Sequence, residues 1–212
     1  MHGVDGPTWA YGLWTAVVIS VGLILFLVFS YMKPQKRFEW RSMGLFTGFI
    51  VALFTEMYGI PLTIYLLLGW FGTSYPVENP FSHANGHLIL VVTGWSDSAV
   101  AMTLLHLFTN GLVFLGIWMI YRGWKQIHDA GDDELITNGI YAYLRHPQYT
   151  GLFLITVGLL IQWPTLITLL LWPALMIVYY RLVLREDREL EQRFGDDFRR
   201  YRESVPAFVP GF

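Results

Sequence analysis

Long apolar runs separated by short polar connections dominate the chain. A helix needs roughly 20 consecutive apolar residues to cross the hydrocarbon core of a bilayer, and several runs reach that length. Five spans are predicted, near residues 9–31, 43–70, 98–121 and 149–163, and from the next turn to about residue 184. The pattern therefore predicts an all-α fold, a polytopic membrane helix bundle with about five transmembrane helices.

The second run and the connection after it carry additional signals. The run is long for one span, so we expect tilt or a break near Pro61. The connection over residues 71–97 is rich in Gly, Pro and Asn, and residues 87–92 within it are expected to dip into the membrane interface. A tight turn at residues 162–164 is expected to join the fourth and fifth spans.

The segment after the fifth span is amphipathic. Apolar side chains recur there at helical spacing with charges between them: Leu190, Phe194, Phe198, Tyr201 and Val205. The pattern predicts a C-terminal amphipathic helix on the cytosolic side, with Gly195 as the point at which it would break. This helix either lies on the membrane surface or covers the end of the bundle.

Composition favours one membrane domain, residues 1–212, without a second folded domain. Of the 212 residues, 54% are hydrophobic and 14% are charged, whereas a soluble domain carries about a quarter charged residues. The absence of Cys excludes disulfides, thiolate metal sites and cysteine nucleophiles. We expect no nucleic-acid partner and no bound metal, and the sequence leaves the oligomeric state open.

The distribution of Lys and Arg predicts the orientation. These residues follow the first run, lie between the third and fourth runs, or come at or after the end of the fifth. Basic residues stay on the cytoplasmic side of a membrane, so the N-terminus is predicted outside and the C-terminus inside. The compact chain without a retention signal favours a prokaryotic plasma membrane, with the active site facing the cytoplasm.

The predicted topology brings two polar segments together. The fourth and fifth spans form an antiparallel hairpin, so residues 138–151 and 181–190 meet at the cytosolic face. The candidates in the first segment also have ordinary interpretations. Arg145 alone is typical of an anchor at the interface, and His146-Pro147 is typical of a helix start.

The acidic pair Glu186-Asp187 in the second segment has two interpretations as well. It is either solvated surface or part of a buried site. Helical register turns Asp187 inward more squarely than Glu186, and a carboxylate that borders an apolar face usually needs a partner. Arg145 or Arg185 can supply that partner.

An ordered set of motifs runs through roughly the last 75 residues. It reads Gly139-x-Tyr141-x-x-x-Arg145-His146-Pro147-x-Tyr149-x-Gly151, then Pro164, then Glu186-Asp187-x-x-Leu190, Phe194-Gly195 and Tyr201. In this order and spacing, the chain resembles the superfamily of isoprenylcysteine carboxyl methyltransferases and phospholipid methyltransferases. It departs from the usual pattern in one place, where the acidic pair is Glu-Asp instead of Glu-Glu.

The resemblance implies S-adenosylmethionine as cofactor, held by residues 131–212, while residues 1–130 shape substrate access. The cofactor-binding residues are then Tyr141, Arg145, His146, Pro147, Tyr149, Gly151 and Glu186. The catalytic residues are Glu186, Arg185 and Asp187. The implied reaction is methyl transfer to a membrane-borne or hydrophobic acceptor, namely an isoprenylcysteine carboxylate, a phospholipid amine or a thiol.

The chemistry of these residue types agrees with such a cofactor. The chain has no glycine-rich strand-to-helix turn of the kind that soluble nucleotide-binding folds use. An Arg can hold the cofactor carboxylate through two hydrogen bonds, a Glu or Asp can hold its ammonium, and Tyr faces can stabilise a cationic sulfur.

A second group of polar residues lies within the spans. Glu56 is near the middle of the second span, where an acid is costly and by default suggests function. His106 and Asn110, one turn apart in the third span, are its expected neighbours. Three interpretations stay open: a structural Glu56–His106 pair, binding of the substrate head group, and a metal or proton site that includes His83 and His87.

Two rival functions also stay open. A membrane reductase of the sterol reductase type, using NADPH, has a similar Arg/His-Pro-Tyr region, but it needs extra basic residues for the nucleotide phosphate. The connection before Arg145 is instead acidic, with Asp129, Asp132, Asp133 and Glu134. The other rival is a non-catalytic membrane protein on the same scaffold.

Overall fold

The computed structural model describes residues 11–32, 37–72, 83–130 and 134–208, and all regular elements in these ranges are helical. The α-helices are α1 (Trp14–Tyr31), α2 (Arg37–Phe54), α3 (Leu62–Phe71), α4 (Leu88–Thr93), α5 (Ala99–Ala130), α6 (Pro147–Gln162), α7 (Leu166–Phe194) and α8 (Asp196–Ser204). The prediction of an all-α fold is confirmed.

Four helical segments are long and apolar enough to cross a membrane by length and composition. They are Trp14–Tyr31, Phe38–Gly59, Ala99–Ala130 and Leu166–Phe194. With these segments the chain is an integral membrane protein. Helix α6 has 16 residues, which gives a length of about 24 Å, shorter than a hydrocarbon core of about 30 Å. The count of five spans and the orientation therefore stay predictions.

The second predicted span is divided in the structure. Helix α2 continues into a π-helical turn, Thr55–Gly59, and α3 starts only after Pro61. The break expected near Pro61 is therefore present. Since α3 has ten residues, or about 15 Å, it is too short to cross on its own. The short helix α4 falls where the sequence predicted a dip into the interface.

Glycines allow α5 and α6 to pack closely. A Cβ on Gly116 would lie 2.5 Å from the carbonyl oxygen of Gly151, and a Cβ on Gly151 would lie 2.5 Å from that of Gly116. Further along the same two helices, a Cβ on Gly158 would lie 2.8 Å from the carbonyl oxygen of Thr109. Small residues at such a crossing let the two backbones approach, as is common in membrane bundles.

Helix α7 starts and ends at clear sequence signals. Thr165 caps its first turn, because the Thr165 side chain accepts a hydrogen bond of 3.1 Å from the backbone N–H of Thr168. Its end is Gly195, whose φ of +56° is a conformation that favours glycine. The break predicted at Gly195 is present, and α8 begins directly after it.

The end of the bundle at which α6 begins and α7 ends is called the site end below. The opposite end is called the far end.

Candidate functional site

Charged side chains from the residues just before α6 and from α7 meet at the site end. A guanidinium nitrogen of Arg145 lies 2.5 Å from Oδ2 of Asp187. The ring of His146 faces both carboxylates, with Nε2 2.8 Å from Oδ1 of Asp187 and Nδ1 3.4 Å from Oε2 of Glu186. The Tyr149 hydroxyl donates to Oε1 of Glu186. The predicted meeting of the two segments is present, and these five residues are called the charged cluster below.

The local sequence explains how the cluster is positioned. Pro147 is the first residue of α6 and His146 is its N-cap, because proline suits the first helical turn. The two residues before Pro147 leave the helix and pair with the C-terminal segment. Arg145 donates its backbone N–H to Pro206 at 2.9 Å, and His146 donates to Ala207 at 3.1 Å.

The amphipathic C-terminal helix closes the same end. Phe198 and Tyr201 are buried, and they pack with Val205 against Leu135, Leu190 and Phe194. The Tyr201 hydroxyl donates a hydrogen bond of 2.6 Å to the backbone carbonyl of Tyr141. Burial raises the pKa of Tyr201 to about 12, so this hydroxyl keeps its proton at neutral pH. The apolar stripe of α8 therefore covers the bundle, as one of the two interpretations proposed.

The pKa of His146 is raised above its ordinary value of 6.5. Burial by itself lowers the pKa of this ring, but hydrogen bonds to Asp187 and Glu186 and the charges of those carboxylates outweigh it. Protonated His146 can donate to both carboxylates. The cluster then holds two positive and two negative side chains, which is the arrangement that buried charges require.

A cavity of about 410 Å³ opens beside the cluster. Its walls include six residues proposed for cofactor binding: Tyr141, Arg145, His146, Pro147, Tyr149 and Glu186. A second cavity of about 290 Å³, between the starts of α2 and α6, shares Tyr149 and Glu186 with the first. The carboxylate of Glu186 therefore faces space, whereas Asp187 lines neither cavity.

Two residues proposed from the sequence lie elsewhere. Arg185 is exposed, and its guanidinium stacks 4.0 Å over the ring of Phe38. Successive residues of a helix point about 100° apart, so Arg185 faces α2 while Glu186 faces the cavity. Gly151 lies at the crossing of α5 and α6, where it permits close packing against Gly116. The structure gives Arg185 no place in the cluster and gives Gly151 a packing role.

Other wall residues were not found from the sequence. The cavity is also lined by Ile127, Gln148, Glu189, Leu190 and Arg193. The three from α7 follow Glu186 at intervals of three, four and seven residues, which is one face of a helix. That spacing was readable in the sequence. The contribution of Ile127 was not, because it depends on how α5 packs.

The polar residues of the far end do not form the predicted pair. Oε2 of Glu56 accepts a 2.7 Å hydrogen bond from the backbone N–H of Thr63. The Nδ1 atom of His106 lies 2.8 Å from the carbonyl oxygen of Met102, one turn earlier in its own helix. Asn110 is exposed on α5. The Glu56–His106 pair is therefore wrong, because each residue has a backbone partner nearby.

The far end also gives no support to a metal site. Among the described residues, no group of three or more His, Asp or Glu is placed to hold a metal ion. The rings of His87 and His106 pack edge to face at 4.8 Å, and Nδ1 of His87 lies 2.8 Å from the carbonyl oxygen of Gln162. The side chain of His83 lies outside the described residues.

The fold and the charged cluster define a helical membrane protein with a polar cavity at one end of its bundle. Comparison with known proteins narrows this class. The model of the phospholipid methyltransferase family matches residues 98–197, which include α5, α6, α7 and the whole charged cluster. This match and the relatives described next support the resemblance to the superfamily of isoprenylcysteine carboxyl methyltransferases and phospholipid methyltransferases. The resemblance is confirmed.

Three relatives show the extent of the similarity. The protein-S-isoprenylcysteine O-methyltransferase of Schizosaccharomyces pombe is 34% identical over 80 residues, and that of Dictyostelium discoideum is 37% identical over 82. These alignments cover 37% and 38% of this chain and 34% of each relative. The nickel-cobalt-cadmium resistance protein NccN of Alcaligenes xylosoxydans xylosoxydans is 29% identical over 128 residues, 58% of this chain and 59% of that protein. The chain thus spans only part of each relative.

Proposed function

We propose that the protein transfers a methyl group from S-adenosylmethionine to a hydrophobic, membrane-borne acceptor at the site end of the bundle. One observation carries the proposal. A cavity of ligand size is lined by two arginines, a histidine, two tyrosines and two carboxylates, within the segment that matches the methyltransferase family. The same topology that predicts a cytoplasmic site end supports access for a water-soluble cofactor, in a prokaryotic plasma membrane.

The residues present fit the cofactor. A volume of about 410 Å³ lies within the roughly 300–1,000 Å³ of small-molecule sites. Arg145 lines the cavity and can hold a carboxylate, while Glu186 can hold an ammonium. The ring faces of Tyr141 and Tyr149 suit a cationic sulfur. The region proposed for cofactor binding, residues 131–212, would form this site with α5 as a wall, and residues 1–130 would otherwise shape substrate access.

The two acidic residues have different tasks in this proposal. Both oxygens of Asp187 are occupied, one by Arg145 and the other by His146. The Glu186 side chain is 35% exposed and lines the cavity, whereas that of Asp187 is 10% exposed. We therefore assign Glu186 to the ligand and Asp187 to the positioning of Arg145 and His146. Helical register predicted that the Asp187 side chain turns inward. Because it turns inward, it lines neither cavity.

Positioning and exclusion of water would be the main contributions of the protein. When bound, S-adenosylmethionine supplies a methyl group on a cationic sulfur. An acceptor carboxylate already carries the electron pair that forms the new bond, so it needs no base. An amine or thiol must lose a proton, and we assign its uptake to Glu186, one of the two carboxylates that line the cavity. The Tyr149 hydroxyl, which donates to Glu186, fixes the direction of that carboxylate.

Titration of S-adenosylmethionine into the purified protein in lipid nanodiscs tests cofactor binding. Tyr149→Phe should weaken binding severalfold, because Glu186 loses its hydrogen bond. Tyr143→Phe is the matched control, since Tyr143 is exposed and lies outside the cavity. Transfer of a labelled methyl group to farnesylcysteine, phosphatidylethanolamine or a long-chain thiol then separates the acceptors. Absence of binding by the unaltered protein would favour a non-catalytic role on this scaffold.

A further inference from the structure

The second cavity adjoins the cavity proposed for the cofactor. Its volume is about 290 Å³, and the two cavities share Ile127, Gln148, Tyr149 and Glu186 as wall residues. A molecule in the second cavity would therefore meet the cofactor cavity beside the Glu186 carboxylate. The reacting end of a second substrate needs such a position, because the two reacting atoms must be held close together.

Two carboxylates line the second cavity. Glu39, in the first turn of α2, is partly buried and joins Glu186 from α7 in the wall. The charges of both carboxylates act on the Tyr149 hydroxyl, so both groups lie near the wall that the cavities share. Arg145 and Arg193 line the first cavity, whereas no described Lys or Arg lines the second. A wall of this charge favours a cation over an anion.

Two aromatic rings add to a site for a cation. Tyr31, the last residue of α1, and Trp124 of α5 also line the second cavity. Their ring centres lie 5.3 Å apart and the ring planes are inclined at 57°, so the two rings form a corner. The faces of such rings attract cations and are used to recognise methylated ammonium groups. A carboxylate can bind the N–H groups of an amine, and the aromatic corner can bind its methylated form.

Glu39 also has a structural interpretation. An acidic residue in the first turn of a helix interacts favourably with the helix dipole, wherever its side chain points. That interaction accounts for an acid near the start of α2, but not for Glu186 and the aromatic corner around the same cavity. The two interpretations differ in what the loss of the Glu39 charge does to an acceptor.

We propose that the second cavity binds the reacting end of the acceptor as an ammonium group, and that Glu39 selects a hydrophobic amine over a carboxylate or a thiol. This inference rests on the proposed function, because it names the acceptor class of the same site. The ammonium gives one proton to the Glu186 carboxylate, and the lone pair of its nitrogen forms the bond to the methyl carbon. The bond between that carbon and sulfur breaks, and its electron pair stays on sulfur, which becomes neutral.

Kinetics of Glu39→Gln test the selection. The probes are dodecylamine, dodecanethiol and N-acetyl-farnesylcysteine, whose ionised group is a carboxylate. Loss of a charge-assisted hydrogen bond should raise the KM for dodecylamine about tenfold or more, while the affinity for S-adenosylmethionine stays unchanged. Glu203→Gln is the control, because Glu203 is exposed and lines neither cavity. Phosphatidylethanolamine, assayed beside dodecylamine, distinguishes a lipid head group from a simple long-chain amine.

Two results would overturn the proposal. One is methylation of the thiol or the carboxylate probe, but of neither amine, by the unaltered protein. The other is a lower melting temperature of Glu39→Gln with an unchanged KM for dodecylamine, which would leave Glu39 only its interaction with the helix dipole.

Trp124→Leu tests the aromatic corner. The substitution keeps an apolar side chain and removes the ring, so the KM for N-methyldodecylamine should rise about threefold. Trp118→Leu is the matched control, since Trp118 is an exposed tryptophan of the same helix and lines neither cavity. An equal KM in the two variants would remove the corner from the proposed site.

Photolabelling tests the site without turnover. A long-chain amine with a diazirine near its amino group should label Met43 or Trp124, both in the wall of the second cavity, and Glu39→Gln should reduce this labelling. Unchanged labelling in the variant, or equal labelling by the matching carboxylic acid, would overturn the inference. Labelling that depends on Glu39 in a protein that does not bind S-adenosylmethionine would instead refute the proposed methyl transfer alone.

Discussion

Carboxylates lie at both ends of this bundle, and their surroundings differ. At the site end, Glu186 lines a cavity of about 410 Å³ and has Tyr149 and His146 as neighbours. At the far end, Glu56 is 4% exposed and borders a space of only about 10 Å³. A space of that size holds at most about one water molecule. Among the described residues the surroundings of Glu56 are sealed, whereas the site end can receive a ligand.

The far end shows that a costly acid inside a membrane protein can have a structural task. Glu56 follows the last turn of α2 and accepts a hydrogen bond from Thr63, in the first turn of α3. A carboxylate at a helix N-terminus satisfies a backbone N–H and interacts favourably with the helix dipole. Burial alone therefore does not identify a functional acid in this bundle. Open space beside the carboxylate is the more informative signal.

Asp187→Asn should give the largest loss of stability. The Arg145 and Asp187 side chains are 11% and 10% exposed, and removal of one partner of a buried ion pair costs about 3 kcal/mol or more. The free energy of unfolding in mixed micelles measures this. Asp197→Asn is the control, because the Asp197–Arg200 pair is exposed and contributes little. Equal stabilities of the two variants would show that the cluster does not hold the site end together.

Glu186→Gln should give the largest loss of cofactor affinity. The substitution keeps the shape of the side chain and removes its charge, so a hydrogen-bonded ammonium would lose about 2 kcal/mol, or roughly 30-fold in affinity. Calorimetric titration of S-adenosylmethionine measures it, with Glu203→Gln on the exposed face of α8 as control. A larger loss of affinity in folded Asp187→Asn than in Glu186→Gln would reverse the tasks assigned to the two acids.

The meeting of α6 and α7 was predictable from the sequence, but the partners within it were not. The short turn before Thr165 makes the two helices antiparallel, so residues near 146 and 186 must lie at one end. Arg145 or Arg185 was expected as the partner of the acidic pair. Arg145 pairs with Asp187, whereas Glu186 has Tyr149 and His146 as its partners. That choice depends on the rotation of α7 about its axis, which is set by packing against α2 and α6.

Contributions from distant parts of the chain were the least predictable. The site needs α5 as a wall, and α5 approaches α6 because Gly116 and Gly151 have no side chains. The motif contains Gly151, but its partner Gly116 lies outside the motif. The family match from residue 98 includes this helix, whereas the motifs readable in the sequence began only near residue 139. The hydrogen bond from Thr63 to Glu56 was also not predictable, because it forms only where the chain breaks at Pro61 and brings the two residues together.

A smaller effect should follow from the titration of His146. Its pKa is raised in the folded protein, so the stability that it contributes is fully present below about pH 6.5 and is lost as the pH rises through the raised value. Tyr141 and Tyr201, whose pKa values are also raised, keep their protons in this range. Melting temperatures from pH 6 to pH 9 should therefore fall in the unaltered protein. The same fall in His146→Gln would assign it to another group.

Glu56→Gln should have the smallest effect, and it tests the comparison most directly. The amide oxygen of Gln can accept the Thr63 hydrogen bond as the carboxylate does, so only the interaction of the charge with the N-terminus of α3 is lost, about 0.3–1 kcal/mol. Cofactor affinity should stay within about twofold of the unaltered protein, well below the roughly 30-fold loss expected for Glu186→Gln.

Glu56→Ala provides the second measurement, because it removes the cap itself and should cost about 1–2 kcal/mol of stability. Calorimetry and unfolding of both variants, side by side with Glu186→Gln, separate the two ends of the bundle. If Glu56→Gln abolishes methyl transfer while the protein stays folded, the sealed far end takes part in the reaction. That result would support the interpretation that Glu56 and His106 contact the head group of the substrate.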